Sequence, residues 1–296
     1  MKILIAGSHG MVGSAVTHHL TEYGHEVVRL VRLNPGPGDV WWDPDAGQID
    51  TTGLEGFEGV IHLASMPWPM RWTAKVKQKL HANRLATNRL LAESLAGCER
   101  KPKVLICASG MGYYPSSGDT ILTEHSPAGT SFLAGLQQEG EAATAPASQA
   151  GIRVVTLRIP MVLGGTALLR MGFQAGDGQQ WVSWVGRDEL ASIIEFALVT
   201  ESLTGPVNAA SPNPLRSGDF AKAASKTLDQ KCRGTMPAFL IRMTMGEMGE
   251  EFILSSRRIQ PAKLLAAGYQ FRFPELEGAV RHEWEISKIG LVSQPA

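Results

Sequence analysis

The chain opens with a short apolar segment, a glycine-rich turn and the start of a helical pattern, all within its first 24 residues. Lys2 to Ala6 reads as a buried parallel strand, because such strands are covered on both faces and are apolar throughout. Three evenly spaced glycines follow in Gly7-Ser8-His9-Gly10-Met11-Val12-Gly13, and a helical pattern then runs from Ser14 to Tyr23 and stops at Gly24. This order predicts the first βα unit of a doubly wound sheet.

A turn of this kind suits a diphosphate. Backbone N–H groups and the positive end of the helix dipole bind the anion, provided that no Cβ stands in the way. Gly7 permits the sharp turn, Gly10 lets a pyrophosphate approach the main chain, and Gly13 lets the helix pack closely on the strand. A nucleoside-triphosphate P-loop is disfavoured, since no Gly-Lys-Ser/Thr ends the turn. A glycine-rich turn without a ligand is the alternative that remains.

Strand and helix patterns alternate further along the chain. The strand candidates are Val27 to Val31, Gly59 to Ala64, Val104 to Ala108 and Arg153 to Ile159, and the helix candidates are Trp72 to Ala96 and Glu139 to Gln149. The alternation predicts an α/β fold, a Rossmann-type doubly wound parallel sheet with helices on both faces. We expect this domain over residues 1–215, with substrate-facing insertions from about 164, and a smaller C-terminal substrate lobe over residues 240–290.

Charge and cysteine content restrict the class of protein. Lys plus Arg number 28 and equal Asp plus Glu, so the basic excess of a nucleic-acid binder is missing. The apolar N-terminal run is too short for a signal peptide, and no run approaches the ~18 apolar residues of a membrane span. Cys98, Cys107 and Cys232 form no Cys-x-x-Cys pair, which favours a reducing compartment. We expect a cytoplasmic protein with a small-molecule substrate and no metal, nucleic-acid or membrane partner, in an oligomeric state that the sequence does not define.

The second strand distinguishes between dinucleotides. NAD binders usually carry an acidic residue about 20 residues after the glycine turn, where it bonds the ribose 2′-hydroxyl. Here the strand end reads Arg29-Leu30-Val31-Arg32-Leu33, and the first acid is Asp39. Arg32 is placed to bind a 2′-phosphate through charge-assisted hydrogen bonds, which favours NADP over NAD. A solvated arginine at a strand end is the alternative.

The glycine spacing resembles that of the extended short-chain dehydrogenase/reductases. Further segments resemble one subgroup, the atypical epimerase-family proteins with a short C-terminal domain of unknown role. These segments are Val60 to Ala64, Arg71 to Thr73, Asn83 to Thr87, Ser109 to Tyr114, Leu157 to Gly164, Gly205 to Pro212 and Gly246 to Pro274. They span nearly the whole chain in the same order. The resemblance implies a cofactor site made by Gly7, Ser8, His9, Gly10, Met11, Val12, Gly13, Val31, Arg32, Leu63, Ala64, Arg84 and Pro160.

The catalytic motif of that superfamily is missing. Its members use Tyr-x-x-x-Lys, in which the lysine lowers the tyrosine pKa so that the phenol exchanges a proton with the substrate near pH 7. The residues four positions after the tyrosines at 23, 113, 114 and 269 are Val27, Ser117, Gly118 and Phe273. Where the resemblance places the motif, Phe132 and Leu136 stand in the positions of the tyrosine and the lysine. The usual dehydrogenase or sugar-epimerase mechanism therefore does not transfer directly.

Other polar residues are candidates for the catalytic site, as contacts to a substrate: Ser109 with Tyr113 or Tyr114. Ser109 lies at the carboxyl end of a predicted strand, where open α/β sheets bind ligands, and Tyr113 and Tyr114 follow it. The next loop contains Glu124-His125. Both tyrosines also suit packing rings with satisfied hydroxyl groups.

Three residues in the matching segments have ordinary structural alternatives. His62 suits a hydrogen-bonded strand histidine better than a catalyst, and Asn83 and Thr87, one helical turn apart, suit capping or solvent contacts. The segment from Gly165 to Trp181 is shorter than in similar proteins, which predicts an altered pocket roof. Two functions remain open: an NADP(H)-dependent oxidoreductase or epimerase of a small polar, sugar-like substrate, and a catalytically silent NADP(H)-binding sensor or interaction protein.

Overall fold

The structure, a computed structural model, describes residues 1–67, 71–164, 173–232 and 234–288 and is organised around one eight-stranded sheet. The strands are β1 (Lys2–Ala6), β2 (Glu26–Val31), β3 (Val40–Asp43), β4 (Gln48–Ile49), β5 (Gly59–His62), β6 (Val104–Gly110), β7 (Ile121–Leu122), β8 (Arg153–Ile159), β9 (Met161–Leu163), β10 (Gln174–Ala175), β11 (Trp181–Val182), β12 (Trp184–Gly186), β13 (Gly205–Asn208), β14 (Leu215–Arg216), β15 (Thr235–Met236) and β16 (Arg258–Ile259). The sheet order is β13-β8-β6-β5-β1-β2-β3-β4, parallel except for the last pair.

Helices cover both faces of this sheet. They are α1 (Met11–Glu22), α2 (Ala74–Gly97), α3 (Phe132–Ala142), α4 (Ala145–Gln149), α5 (Arg187–Val199), α6 (Ser217–Thr227), α7 (Ala238–Met245), α8 (Glu247–Gly249), α9 (Ala262–Ala266) and α10 (Leu276–Lys288). Helices α1 and α5 pack on one face around Ile3 and Ile5, while α2 and α4 pack on the other around Leu4 and Leu105. The expected doubly wound parallel sheet is confirmed.

The strand order reverses at the centre of the sheet. From β1 the chain builds β2 and β3 on one side, and then places β5, β6, β8 and β13 on the other. The carboxyl ends of β1 and β5 therefore part at a crevice, and in open α/β sheets ligands bind at such a switch point. The glycine turn follows β1 and Leu63-Ala64 follow β5, so both border this crevice.

Several element boundaries differ from the sequence prediction. Helix α1 begins at Met11 and not at Ser14, so the second half of the glycine turn is its first helical turn. The helix expected over residues 139–149 is instead the end of one helix and the whole of another. The first of them, the eleven-residue α3, already starts at Phe132 and is capped by the Ser131 hydroxyl, and the second is α4. Pro146 lacks an N–H and lies in the first turn of α4, where proline is tolerated, which explains the break.

The last third of the chain packs against the carboxyl ends of the central strands through short pairings. Strand β9 pairs with β12, and β7 pairs with β16. Helix α10 packs on α6, with Leu276 and Val280 against the fully buried Trp184. In the described part of the chain, no helix has both the length and the apolar character that crossing a membrane requires. Residues 165–172, part of the segment for which an altered pocket roof is expected, lie outside the described residues.

Candidate cofactor site

The glycine turn requires glycine at its two ends. Gly7 has a φ of +84°, and a Cβ there would lie 2.6 Å from the backbone nitrogen of Ala64. A Cβ on Gly13 would lie 2.0 Å from the carbonyl oxygen of Gly7. Gly10 is less crowded, since its Cβ would meet that same oxygen at 3.4 Å. The turn thus brings α1 against β1 and β5, and directs the first N–H groups of α1, which have no partner within the helix, towards the crevice.

The crevice at the switch point is a cavity of about 810 Å³. It is lined by Gly7, Gly10, Arg32, Pro44, Asp45, Leu63, Ala64, Ser65, Met66, Pro67, Lys79, Ala82, Asn83 and Ala86. Its volume suits a large cofactor, because ligand pockets commonly have volumes of about 300–1,000 Å³. The buried hydroxyl of Ser8, beside it in the turn, has no hydrogen-bond partner in the described part of the chain.

The predicted cofactor residues fall into two groups. Gly7, Gly10, Arg32, Leu63 and Ala64 line the crevice itself. The others lie beside it: Ser8 and His9 line a neighbouring surface groove, Met11, Val12 and Gly13 form the first turn of α1, Val31 is the buried end of β2, Arg84 lines a smaller adjoining cavity, and Pro160 joins β8 to β9.

Arg32 is anchored by the strand next to it. Its carbonyl oxygen accepts a hydrogen bond from the indole N–H of Trp41 at 3.1 Å, and its guanidinium lies 5.7 Å from the ring of the buried Trp42. One guanidinium nitrogen lies 3.6 Å from a carboxylate oxygen of Asp45. The strand end therefore presents a half-exposed cation at the rim of the crevice, as a 2′-phosphate would require.

The sequence did not single out Lys79, which lies on the opposite wall. Lys79, Ala82, Asn83 and Ala86 follow one another at helical spacing and form the face of α2 towards the crevice. The signal was present in the sequence: two alanines and an asparagine interrupt the leucine pattern of this helix and give it a small, polar face. Asn83 also accepts a hydrogen bond from the backbone N–H of Met66 at 3.2 Å, which fixes the loop after β5.

The crevice continues towards α3 into a second cavity of about 10 Å³, room for about one water molecule. Asn83, Arg84 and Leu136 line it. The Arg84 guanidinium donates to the carbonyl oxygen of Ala108 at 3.0 Å, and no carboxylate of the described residues lies within ion-pair distance of it. Gly140 leaves room for this side chain, because a Cβ there would lie 2.9 Å from its Cγ. Burial lowers the pKa of Arg84.

Ser109 belongs to a buried hydrogen-bond network. Its hydroxyl donates to the carboxylate of Glu141 at 2.6 Å, and that carboxylate accepts two hydrogen bonds from Arg158, at 2.9 and 2.8 Å. Burial alone would lower the pKa of Arg158, but its bonds to Glu141 raise it. The serine is thus held by a structural ion pair at the point where β6 meets α3.

Tyr114 continues the same network. Its hydroxyl accepts a hydrogen bond from Arg158 at 2.9 Å and donates to Asn208 at 2.7 Å. The side chain is fully buried, and burial raises its pKa to about 12. A contact between this phenol and a substrate would require the network to open. Tyr113 is half-buried, with its ring 3.3 Å from the Arg158 guanidinium. Glu124, in the following loop, accepts from the backbone N–H groups of Asn208 and Lys263.

An apolar cluster occupies the positions where the resemblance places tyrosine and lysine. Leu136 is buried among Trp72, Leu80 and Leu133, and Phe132 packs edge-on against Trp72 with ring centroids 5.6 Å apart. The ammonium group of Lys77 lies 5.0 Å from the Phe132 ring.

His62 lies at the end of β5, beneath the crevice. It is buried, its ring meets Trp42 edge-on at 5.7 Å, and both ring nitrogens lack a hydrogen-bond partner in the described part of the chain. Burial lowers its pKa to about 3, so the ring is neutral at physiological pH. A neutral, buried imidazole with no carboxylate bonded to it is poorly placed to act as a general acid.

The fold and the crevice place this chain in a known class. Residues 3–208 match the model of the NAD dependent epimerase/dehydratase family, and residues 236–283 match a domain of unknown function, DUF1731. The chain therefore belongs to the NAD dependent epimerase/dehydratase family and also contains a match to that second domain.

Individual relatives cover almost the whole chain. The epimerase family protein ML0860 of Mycobacterium leprae is 35% identical over 281 residues, which are 91% of either chain. A crystal structure of the human epimerase family protein SDR39U1 with NADPH is 28% identical, superposes with a TM-score of 0.88, and covers 96% of this chain and 99% of that one. A nucleoside-diphosphate sugar epimerase from Corynebacterium glutamicum is 34% identical with a TM-score of 0.81, over 96% of this chain and 58% of its own.

Proposed function

We propose that this protein binds NADP(H) and acts as an oxidoreductase or epimerase on a small polar substrate. The observation that carries the proposal is that the glycine turn and Arg32 border one crevice of about 810 Å³. The turn would hold the diphosphate, and Arg32 the 2′-phosphate. The human relative, which was solved with NADPH, supports the choice of cofactor.

The residues present fit such a cofactor. The turn offers a cradle that Cβ atoms would fill, and the unpartnered hydroxyl of Ser8 is a further donor beside it. A bound nicotinamide supplies hydride transfer, and the protein supplies position and electrostatics. The far end of the crevice carries Asn83 and, in the adjoining cavity, Arg84. We place the substrate at that end, because these side chains offer donors for the oxygen atoms of a polar molecule.

Calorimetric titration with NADPH and NADH tests the cofactor assignment. We expect Arg32→Asp to weaken NADPH binding at least tenfold and NADH binding much less, since only NADPH has the 2′-phosphate. Arg281→Asp, at an exposed position of α10 that lines neither the crevice nor the groove beside it, makes the same change of charge and serves as the control. Equal losses for both coenzymes in Arg32→Asp, or no binding of either to the unaltered protein, would refute the assignment.

A second function is favoured by the state of the expected catalytic groups. Ser109 and Tyr114 are held in the buried network, and Phe132 and Leu136 offer no proton. These observations favour a catalytically silent NADP(H)-binding protein that senses redox state or binds a partner. A panel of small aldehydes, ketones and sugar nucleotides separates the two: loss of NADPH absorbance, or an epimerised product detected by NMR without net change of the coenzyme, supports the enzyme, and NADPH-dependent thermal stabilisation with neither supports the sensor.

A further inference from the structure

The rim of the crevice holds two opposite charges. Arg32 and Asp45 both line it, 3.6 Å apart, and each side chain is partly or largely open to solvent. A 2′-phosphate that approaches Arg32 must therefore share the guanidinium with a carboxylate already beside it. This acid lies on the β3–β4 hairpin, far from the position in β2 where a sequence pattern looks for one.

The turn that carries Asp45 has a defined backbone. The side chain of Asp43 accepts hydrogen bonds from the backbone N–H groups of Asp45, at 3.1 Å, and of Ala46, at 3.2 Å. Gly47 then adopts a φ of +66° and leads into β4. An Asx turn of this kind restricts the backbone, and it places Asp45 at the rim of the crevice.

The same hairpin that carries Asp45 also contacts Arg32. The indole N–H of Trp41 bonds the backbone carbonyl oxygen of Arg32, and the ring of Trp42 lies 5.7 Å from its guanidinium. The hairpin therefore brings the anion beside the cation. A ribose bound at this rim would meet both charges.

We propose that Asp45 is a second determinant of coenzyme choice and opposes Arg32. Its carboxylate repels a 2′-phosphate and competes for the guanidinium, which weakens NADP(H) binding. The same carboxylate accepts a hydrogen bond from an unphosphorylated 2′-hydroxyl, which strengthens NAD(H) binding. The pair gives a crevice that admits both coenzymes, with a smaller preference for NADP(H) than Arg32 alone would produce. The inference rests on the proposed cofactor function.

Calorimetry on the full chain, titrated with NADPH and with NADH, tests the proposal without an activity assay. We expect Asp45→Asn to tighten NADPH binding about fivefold and to weaken NADH binding about threefold, the size expected for exposed charges. The NADPH gain should shrink at high ionic strength, because salt screens exposed charges. Asp39→Asn is the matched control: this acid lies in the β2–β3 connection, on the other side of β3 from Asp45, bonds Gly36 through an oxygen that asparagine retains, and does not line the crevice.

The results distinguish the role of Asp45 from the proposed cofactor function. If the unaltered protein binds neither coenzyme, the proposed function fails. If it binds NADPH but Asp45→Asn leaves the ratio of the two affinities unchanged, or moves it no further than Asp39→Asn does, the role of Asp45 is overturned and the cofactor assignment stands. Thermal unfolding of the free proteins confirms that both variants fold.

Discussion

At the scale of single residues, the turn needs glycine at Gly13 for close packing and at Gly10 for ligand binding, and substitutions distinguish these two needs. Gly13→Ala places a methyl group 2.0 Å from a backbone oxygen, and we expect it to lower the free energy of unfolding by about 2 kcal/mol or more. Gly10→Ala meets nothing closer than 3.4 Å, so we expect a cost of about 0.5 kcal/mol for the poorer cap. Gly10 lines the crevice, however, and its new methyl group should weaken NADPH binding at least tenfold.

Chemical denaturation and calorimetry of both glycine variants measure these effects. Loss of binding with retained stability in Gly10→Ala identifies the ligand as the reason for that glycine. Unchanged NADPH affinity in Gly10→Ala would show that the diphosphate does not approach the main chain at this position.

Residues near the turn differ in how far the sequence predicts them. In this fold, the turn after the first strand and the end of the second strand lie beside the same dinucleotide. The glycines and Arg32 can therefore be assigned to one ligand from their positions in the sequence. Lys79 and Asp45 reach the same crevice only because α2 and the β3–β4 hairpin fold over it. Their spacing from the turn carries no information, since the lengths of the intervening loops are unconstrained.

At the scale of elements, an apolar cluster occupies the position on α3 where the resemblance places a lysine. Leu136 is 1% exposed in this cluster, with Trp72, Leu80 and Leu133, and also lines the small cavity beside Arg84. Leu136→Lys would bury an ammonium group among these side chains and next to the Arg84 guanidinium, and we expect the free energy of unfolding to fall by about 3 kcal/mol or more. Leu136→Met, which keeps volume and polarity, should cost less than about 1.5 kcal/mol.

Urea denaturation of the two Leu136 variants checks this expectation. If the two variants are equally stable, the cluster has room for a lysine, and packing does not account for the absence of a lysine at position 136. The sequence showed that the motif was missing, but it could not show that an aromatic and aliphatic cluster fills the place. That cluster draws its members from α2, α3 and the C-terminal part of the chain, which are far apart in sequence.

Element boundaries were harder to predict than element types. The buried strands β1 and β6 stood out because nearly continuous apolar runs of this length are typical of parallel strands covered on both faces. The hairpin β3–β4 was missed, because two tryptophans followed by Asp-Pro-Asp give neither a long apolar run nor a clear alternation. Trp42 is buried in the cluster around Leu4 and Leu105, and this tertiary contact is not visible in the local sequence.

At the scale of the whole molecule, one buried network joins the sheet edge to the helices beside the crevice. Glu141 of α3 and Arg158 of β8 hold Ser109 of β6 and Tyr114, and Asn208 of β13 completes the chain of bonds. A fully satisfied network of this kind makes a buried charge pair tolerable and fixes the relative positions of the strands. The sequence identified Ser109 and Tyr114 as polar residues near the crevice; only the fold shows what they are bonded to.

A second buried carboxylate joins the C-terminal helix to the sheet. Glu283 of α10 accepts the backbone N–H of Arg187 at 2.7 Å at the start of α5, and it is 3% exposed. Burial raises its pKa to about 7, although the charge of Arg187 opposes the rise. Between pH 4.5 and 7 the folded state therefore binds more protons at this site than the unfolded state, so the stability from this group falls as the pH rises across that window.

Glu283→Gln removes this titration while keeping an acceptor for the start of α5. We expect the unaltered protein to lose stability relative to the variant as the pH is raised from 5 to 8, by about 1–3 kcal/mol, with most of the change below pH 7. Denaturation of both proteins at several pH values measures the difference, in which titrating groups that do not interact with Glu283 cancel. A difference that stays constant with pH would mean that Glu283 is ionised in both states, and that the guanidinium of Arg187 outweighs the cost of burial.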